Sequence, residues 1–136
     1  MFLTMLNEKE QKNFLELAVI AIAVDGKIDE REKNIIDVYR KETNLQNYAI
    51  QNLDLQALLT EFQASTKKIK RAVLIELAGV LDADDEVVDS EKDWIFNVGR
   101  EWGFREAEIK KMVLWAQDFN DLLAEGYNYI LGNRNR

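Results

Sequence analysis

Two short acidic segments carry the side chains in this sequence that are best suited to chemistry. A shift of 59 positions lays the first, Asp25 to Glu32, over the second, Asp84 to Glu91. Each gathers several carboxylates within eight residues, and carboxylate oxygens are the ligands that Ca²⁺, Mg²⁺ and Mn²⁺ prefer. The pattern predicts a paired carboxylate site that binds a divalent cation, and its predicted metal ligands are Asp25, Asp29, Glu32, Asp84, Asp89 and Glu91.

Neither segment can bind a cation tightly alone. Asp25-Gly26-Lys27-Ile28-Asp29-Glu30-Arg31-Glu32 is similar to the second half of an EF-hand loop, but Ala21 and Ala23 stand where the first ligands of such a loop would be. The second segment also lacks the first ligand. We therefore expect binding near the millimolar end of the range for such oxygen sites, and a site shared by both segments is the better candidate.

Helix starts offer a second explanation for several of these residues. Asp29, Glu32 and Ser90 are residue types that helix N-termini favour through capping and the helix dipole, with no ligand involved. Asp25 and Asp84 differ, because each follows a predicted apolar helix, whose C-terminal end disfavours a carboxylate. A cation or nearby Lys and Arg side chains should compensate the negative charge of Asp25 and Asp84.

Composition removes most other classes of site. The chain has no Cys and no His, which excludes thiolate and imidazole ligands and the nucleophiles and bases built from them. A net charge of −7 makes nucleic acid an unfavourable partner and suits cations or basic protein surfaces. The N-terminal residues do not form a signal peptide, and the apolar run from Phe14 to Val24 is too short to span a membrane. We expect a soluble cytoplasmic protein with a protein partner and without membrane insertion.

The elements that would position the acidic segments are all helical. No Pro occurs, and apolar residues recur at helical spacing. Asn7 with Glu10 and Asp29 with Glu32 form capping boxes. In the first half, the pattern predicts a buried helix from Glu8 to Val24, a helix from Glu30 to Glu42 closed by Asn44, a short helix through Tyr48 and Ile50, and a helix capped by Asp54.

The second half repeats this order. Ser65 or Thr66 caps a long helix carrying Val73, Leu77, Val80 and Leu81, and Asp89 or Ser90 caps a helix that ends at Gly103. The remaining chain is predicted to form one or two helices, broken or bent near Gly126. The aromatic and apolar residues predicted to lie inward or to cover the core are Trp94, Trp102, Trp115, Phe119, Leu122 and Leu123.

A length of 136 residues fits one domain spanning 1–136. Within it we predict two pseudo-symmetric repeats of helix, acidic turn and helix, at about 15–53 and 74–112, followed by C-terminal helices over 113–131. Upstream of the turns the better offset is 60, which lays Glu16 over Glu76. The predicted fold is a compact all-α bundle of about seven helices.

The paired motifs resemble the TerB-like family of bacterial tellurite-resistance and stress proteins. The resemblance rests on Val24-Asp25-Gly26-Lys27-Ile28-Asp29-Glu30-Arg31-Glu32 and on Ala83-Asp84-Asp85-Glu86-Val87-Val88-Asp89-Ser90-Glu91, and it spans about 15–112. It implies an all-helical bundle, an acidic cluster that binds divalent cations, and a non-enzymatic role in stress-response assemblies; similar domains accompany J-domains in co-chaperones. Asp85 departs from the family pattern, which has Gly there.

Three functions stay open at this point. The first is a non-enzymatic stress-response module with a weak divalent-cation site. The second is an adaptor of the co-chaperone type that binds a helix or another protein, which requires an exposed apolar groove or patch. The third is a metal-dependent hydrolase that uses carboxylates alone, which requires a concave pocket with carboxylates on its wall. Predicted acids at helix ends rather than mid-helix favour the non-enzymatic classes.

Overall fold

The computed structural model describes residues 1–24, 30–81 and 89–132, and for 30–32, 89 and 90 it describes the backbone alone. These residues form helices and no strand, which confirms the all-α class. A short 3-10 turn, Leu3–Met5, precedes the first helix. The α-helices are α1 (Glu8–Ala23), α2 (Glu30–Glu42), α3 (Leu55–Gln63), α4 (Lys67–Leu81), α5 (Asp89–Glu101) and α6 (Glu106–Leu131).

Short polar side chains start these helices as their positions predict. The Asn7 side chain accepts a hydrogen bond from the Glu10 N–H, and the Glu10 carboxylate accepts one from the Asn7 N–H, which completes the predicted capping box of α1. Asp54 accepts from the Ala57 N–H at the start of α3. Before α4, the cap is Thr66, whose hydroxyl accepts from the Ile69 N–H. Each cap satisfies a backbone donor that the helix itself leaves unpaired.

The ends of α2 and α5 match each other. Asn44 and Gly103 both take the left-handed backbone conformation, with φ of 58° and 87°. After α2, the Leu45 N–H donates to the Arg40 carbonyl at 2.8 Å, and the equivalent bond after α5, 59 residues later, measures 3.0 Å. The predictions that one helix ends at Asn44 and another at Gly103 are therefore confirmed.

The core is formed around α1 and α4. Helix α4 packs against α1, α5 and α6 and also contacts the 3-10 turn. A tilted aromatic pair, Phe62 and Trp102, extends the core to α3 and α5, and the Trp102 indole N–H donates to the Leu59 carbonyl. The largest fully buried apolar side chains are Phe14, Phe62, Leu3, Leu15, Leu17, Leu58, Leu74, Leu77, Ile95, Ile109 and Val73.

The predicted short helix through Tyr48 and Ile50 does not form. Instead, residues 46–54 run without helix over the surface of α1. Glu16 explains this, since its buried carboxylate accepts hydrogen bonds from the Tyr48 hydroxyl at 2.6 Å and from the Gln51 and Leu53 N–H groups at 2.7 and 3.2 Å. These backbone donors pair with a side chain, so the segment needs no helix to satisfy them.

Two predictions for the C-terminal region are wrong. Helix α6 continues through Gly126 without a break, because one Gly weakens a helix by about 1 kcal/mol but does not end it. Trp115 and Leu122, which were predicted to cover the core, are instead 45% and 65% exposed. The buried residues of α6 are Ile109 and Ala116, so the helix extends beyond the part of the bundle that buries it.

The described residues form six α-helices, so the predicted count of seven is not confirmed, and the pseudo-symmetry of the two repeats stays a prediction. One pair of equivalent residues shares a role. Glu16 on α1 and Glu76 on α4 are both buried, and each accepts backbone hydrogen bonds from a segment that is not α-helical. In both cases a buried carboxylate on a central helix holds a segment that is not α-helical by accepting hydrogen bonds from its backbone.

Candidate functional site

Half of the predicted metal ligands lie outside the described residues. This holds for Asp25, Asp29 and Asp84, while Glu32 and Asp89 lie in α2 and α5, where only the backbone is described. Glu91 is described, and its side chain is 3% exposed in the first turn of α5. Within 1–24, 30–81 and 89–132, no group of three or more carboxylates is placed to hold a metal ion.

A groove of about 730 Å³ is bounded by α2, α4 and α6. We call it the apolar groove, because hydrophobic and aromatic side chains supply most of its walls. The N-terminal residues close one end. Its lining consists of Met1, Phe2, Asn34, Ile35, Val38, Tyr39, Glu42, Ile75, Glu76, Gly79, Val80, Trp115, Ala116, Phe119, Asn120, Leu123, Ala124 and Tyr127.

Two carboxylates at the closed end hold the chain's first residues. The Met1 ammonium lies 2.6 Å from a Glu42 carboxylate oxygen and 3.0 Å from one of Glu76. The same Glu76 oxygen accepts from the Phe2 N–H at 2.6 Å, and Glu42 accepts from the Leu3 N–H at 3.2 Å. Both carboxylates are therefore engaged by the chain's own donors.

These contacts change the ionisation of the groups around them. Burial alone would lower the pKa of the Met1 ammonium, but hydrogen bonds to Glu42 and Glu76 outweigh it and raise this pKa above its usual 8.0. Burial, followed by the charge of Glu76, raises the pKa of Tyr39 well above 10.0. The Tyr39 hydroxyl donates to Glu76 at 3.4 Å. At neutral pH the closed end thus holds an ammonium and a neutral phenol facing two carboxylates.

One wall of the groove is an aromatic stack. The Trp115 and Phe119 rings lie nearly parallel, with centroids 5.5 Å apart and an interplanar angle of 12°. Phe2 also contacts Trp115, with centroids 6.0 Å apart and the rings tilted by 46°. On the facing side, the Asn120 amide donates to the Gly79 carbonyl at 3.3 Å and fixes α6 to α4. Helix α6 is held in register here, so the stack is presented by a fixed element.

Beyond this anchor, α6 carries apolar side chains with large exposed areas. Leu123 and Tyr127 line the groove and are 48% and 58% exposed, and Ile130 near the helix end is 80% exposed. Trp115 and Val38, which also line the groove, are 45% and 60% exposed. Exposed apolar side chains that line one groove are typical of a surface that binds a partner.

This arrangement suits binding better than catalysis. Rigid aromatic and aliphatic side chains bury well against an apolar partner, while the polar groups of the groove are gathered at one closed end. Sequence reasoning missed the site because it assigned Trp115, Phe119 and Leu123 to the core. The signal was present in the spacing, since Trp115, Phe119, Leu123 and Tyr127 recur every fourth residue and form a stripe along one side of α6.

Comparison with protein-family models, with curated proteins and with solved structures finds no match. Among the helices that the described residues build, none combines the length and the apolar character needed to cross a membrane.

Proposed function

We propose that this chain is a non-enzymatic binding module that holds an apolar helical segment of a partner protein in the apolar groove. The observation that carries the proposal is the stripe on α6, where Leu123 and Tyr127 line the groove and remain about half exposed. Helix-binding proteins use grooves of this kind, and partners insert side chains at helical spacing. Apolar anchors that are buried on binding would supply most of the affinity.

The carboxylates of the groove support binding over hydrolysis. A carboxylate-only hydrolase needs acids that are open to substrate on a pocket wall. Glu42 and Glu76 lie on the wall, yet both accept hydrogen bonds from the N-terminal residues of the chain. Hydrolysis is therefore the weaker alternative.

The resemblance to TerB-like proteins supports a place for this module in a bacterial stress-response assembly. Weak binding of a divalent cation at the acidic turns stays a second proposal. Its support is the spacing of hard oxygen donors in both turns.

Calorimetry tests the cation proposal. We expect heat on titrating Ca²⁺, Mg²⁺ or Mn²⁺ into the wild type, with a dissociation constant on the order of 1 mM. The double variant Asp25→Asn with Asp84→Asn should lose this heat. No heat from the wild type at millimolar cation, with a gain of thermal stability in the double variant, would show that the acids act only as caps and surface charge.

A labelled peptide tests the groove. The probe is a synthetic amphipathic helix of about 18 residues with Leu at positions i, i+4, i+7 and i+11, followed by fluorescence anisotropy. The double variant Leu123→Ser with Tyr127→Ser should raise the dissociation constant at least about tenfold, because two apolar anchors worth roughly 1–2 kcal/mol together are lost. Both side chains are half exposed, so the fold should be retained.

The matched control is Leu114→Ser with Leu122→Ser. These residues are exposed on the same helix but do not line the groove. Their replacement should change the dissociation constant by less than about threefold. Equal losses in both double variants, or no measurable binding to the wild type, would contradict the proposed function.

A further inference from the structure

The last part of α6 extends beyond the bundle. We call residues 121–131 the α6 extension. All of them except Gly126 are exposed, and the apolar side chains of Ile130 and Leu131 are 80% and 69% exposed. Contiguous apolar surface of this kind marks a place where another molecule binds.

Helix α6 itself has the form that an occupant of the apolar groove needs. Phe119, Leu123, Tyr127 and Ile130 follow one another at i, i+4, i+8 and i+11 and lie along one side of the helix. A helix binds in a groove through anchors at such spacing. The groove follows α6 from Trp115 to Tyr127, about 18 Å at 1.5 Å per residue, and the four anchors span about 17 Å.

The charges of this helix do not oppose the pairing of two copies. The acidic residues of α6 after position 112 are Asp118, Asp121 and Glu125, and none of them lines the groove. They lie on the side opposite Leu123 and Tyr127. Two helices that meet through their apolar sides therefore keep these carboxylates in water and apart, where their repulsion is small.

The surface area of the chain is large enough for such a contact. The chain exposes 8309 Å², whereas a folded monomer of 15.8 kDa exposes about 7,300 Å². Part of this excess is the α6 extension, since nearly all of its residues are exposed. Each partner buries about 800 Å² in an interface of standard size, which is similar to the excess of about 1,000 Å².

We propose that the partner is a second copy of this chain, and that two copies pair antiparallel through α6. Each copy then places its α6 extension in the apolar groove of the other. A two-fold axis near Leu123 sets Phe119 of either copy opposite Tyr127 of the other. This rests on the proposed function and names its partner. The apolar stripe serves as wall in one copy and as occupant in the other, so one contact covers both.

Sedimentation equilibrium of the full chain between about 5 and about 500 µM tests the pairing. We expect a reversible dimer with a dissociation constant on the order of 10–100 µM, because the helix contact is small and each copy carries a net charge of −7. The double variant Leu123→Ser with Tyr127→Ser should raise this constant at least about tenfold, since both copies lose their anchors.

The matched control is Leu53→Ser with Leu114→Ser. Both side chains are exposed and neither lines the groove. This double variant should change the dissociation constant of the dimer by less than about threefold.

Cross-linking locates the contact, because the chain has no Cys of its own. In Leu123→Cys the two thiols lie beside the two-fold axis, and oxidised glutathione should link them into a disulfide dimer. Leu114, nine residues earlier, lies on the opposite side of α6. Leu114→Cys should therefore cross-link at least about tenfold more slowly.

The outcomes separate the two proposals. If the wild type stays monomeric at about 500 µM while the synthetic amphipathic helix binds the groove, the second copy is overturned and the helix-binding groove is kept. Equal dimerisation of both double variants, or equal cross-linking of both Cys variants, would also overturn the second copy. Excess peptide should dissociate the dimer, because both need the same groove. A monomer that binds no peptide would show that both proposals are wrong.

Discussion

Replacing Glu16 by Gln should destabilise the chain by about 3–5 kcal/mol. The carboxylate is 1% exposed and accepts three hydrogen bonds, two at one oxygen from Tyr48 and Gln51 and one at the other from Leu53. An amide has one oxygen, so its best orientation keeps two bonds and turns an N–H toward the Leu53 N–H. One buried donor is then unpaired at about 1–3 kcal/mol, and the two remaining bonds lose their charge, each by about 1 kcal/mol.

Urea unfolding followed by circular dichroism measures this loss, and Tyr48→Phe gives a graded comparison. Tyr48→Phe removes one bond to a charged acceptor and should cost about 1.5–3 kcal/mol. A second readout follows the phenol. Burial, the hydrogen bond to Glu16 and the charge of Glu16 raise the pKa of Tyr48 to about 12. In Glu16→Gln this pKa should fall toward its usual 10.0, which ultraviolet titration detects.

The control is Glu8→Gln, an exposed Glu-to-Gln change on the same helix that should cost less than about 1 kcal/mol. If Glu16→Gln lost no more stability than this control, the carboxylate would not hold residues 46–54. The explanation given for the missing helix through Tyr48 would then be refuted.

Three further results are expected. Gly99→Ala should destabilise by about 1–2 kcal/mol, because the new methyl would lie 2.6 Å from a buried Ile109 carbon. In Gly126→Ala the new methyl meets nothing within 4 Å, so the change should stabilise the chain by about 0.5–1 kcal/mol. If thermal unfolding showed that both Ala variants are stabilised or that both are destabilised, the contrast in packing around Gly99 and Gly126 would be refuted. The Met1 ion pairs should contribute fully below pH 8.0 and be lost as pH rises through the raised pKa. Losing these ion pairs should lower the free energy of unfolding by up to about 1 kcal/mol. Between about pH 7 and 9.5, the free energy of unfolding should therefore fall less for the N-acetylated chain than for the unmodified chain. An equal fall for both chains would contradict this prediction.

Local signals in this sequence predicted the helices well. Asn7, Asp54 and Thr66 cap helices because their side chains pair with backbone donors a few residues away, and this chemistry is visible in the order of residues. Asn44 and Gly103 end helices because they tolerate a left-handed backbone. Such effects span one turn, so the sequence contains all that they need.

Long-range effects were not predictable in the same way. Residues 46–54 lack a helix because Glu16, more than 30 positions earlier, accepts their donors. The exposed part of the stripe arises because α6 continues past Ala116, its last buried residue, and so leaves Leu123 and Tyr127 about half exposed. Periodicity shows that a helix has an apolar stripe, but not whether other helices are long enough to cover it. The predicted metal ligands other than Glu91 lie where no side chain is described.

The most direct test of the helix-binding groove is to locate a bound helix on the surface by NMR. Amide and indole spectra of the ¹⁵N-labelled chain would be recorded during titration with the synthetic amphipathic helix that carries Leu at positions i, i+4, i+7 and i+11. Binding in the groove predicts that the largest shifts arise at the Trp115 indole, at the amides of Leu123 and Tyr127 on α6, and at Val38 on α2. Shifts confined to α3 and α5, or an unchanged Trp115 indole at saturation, would contradict the account.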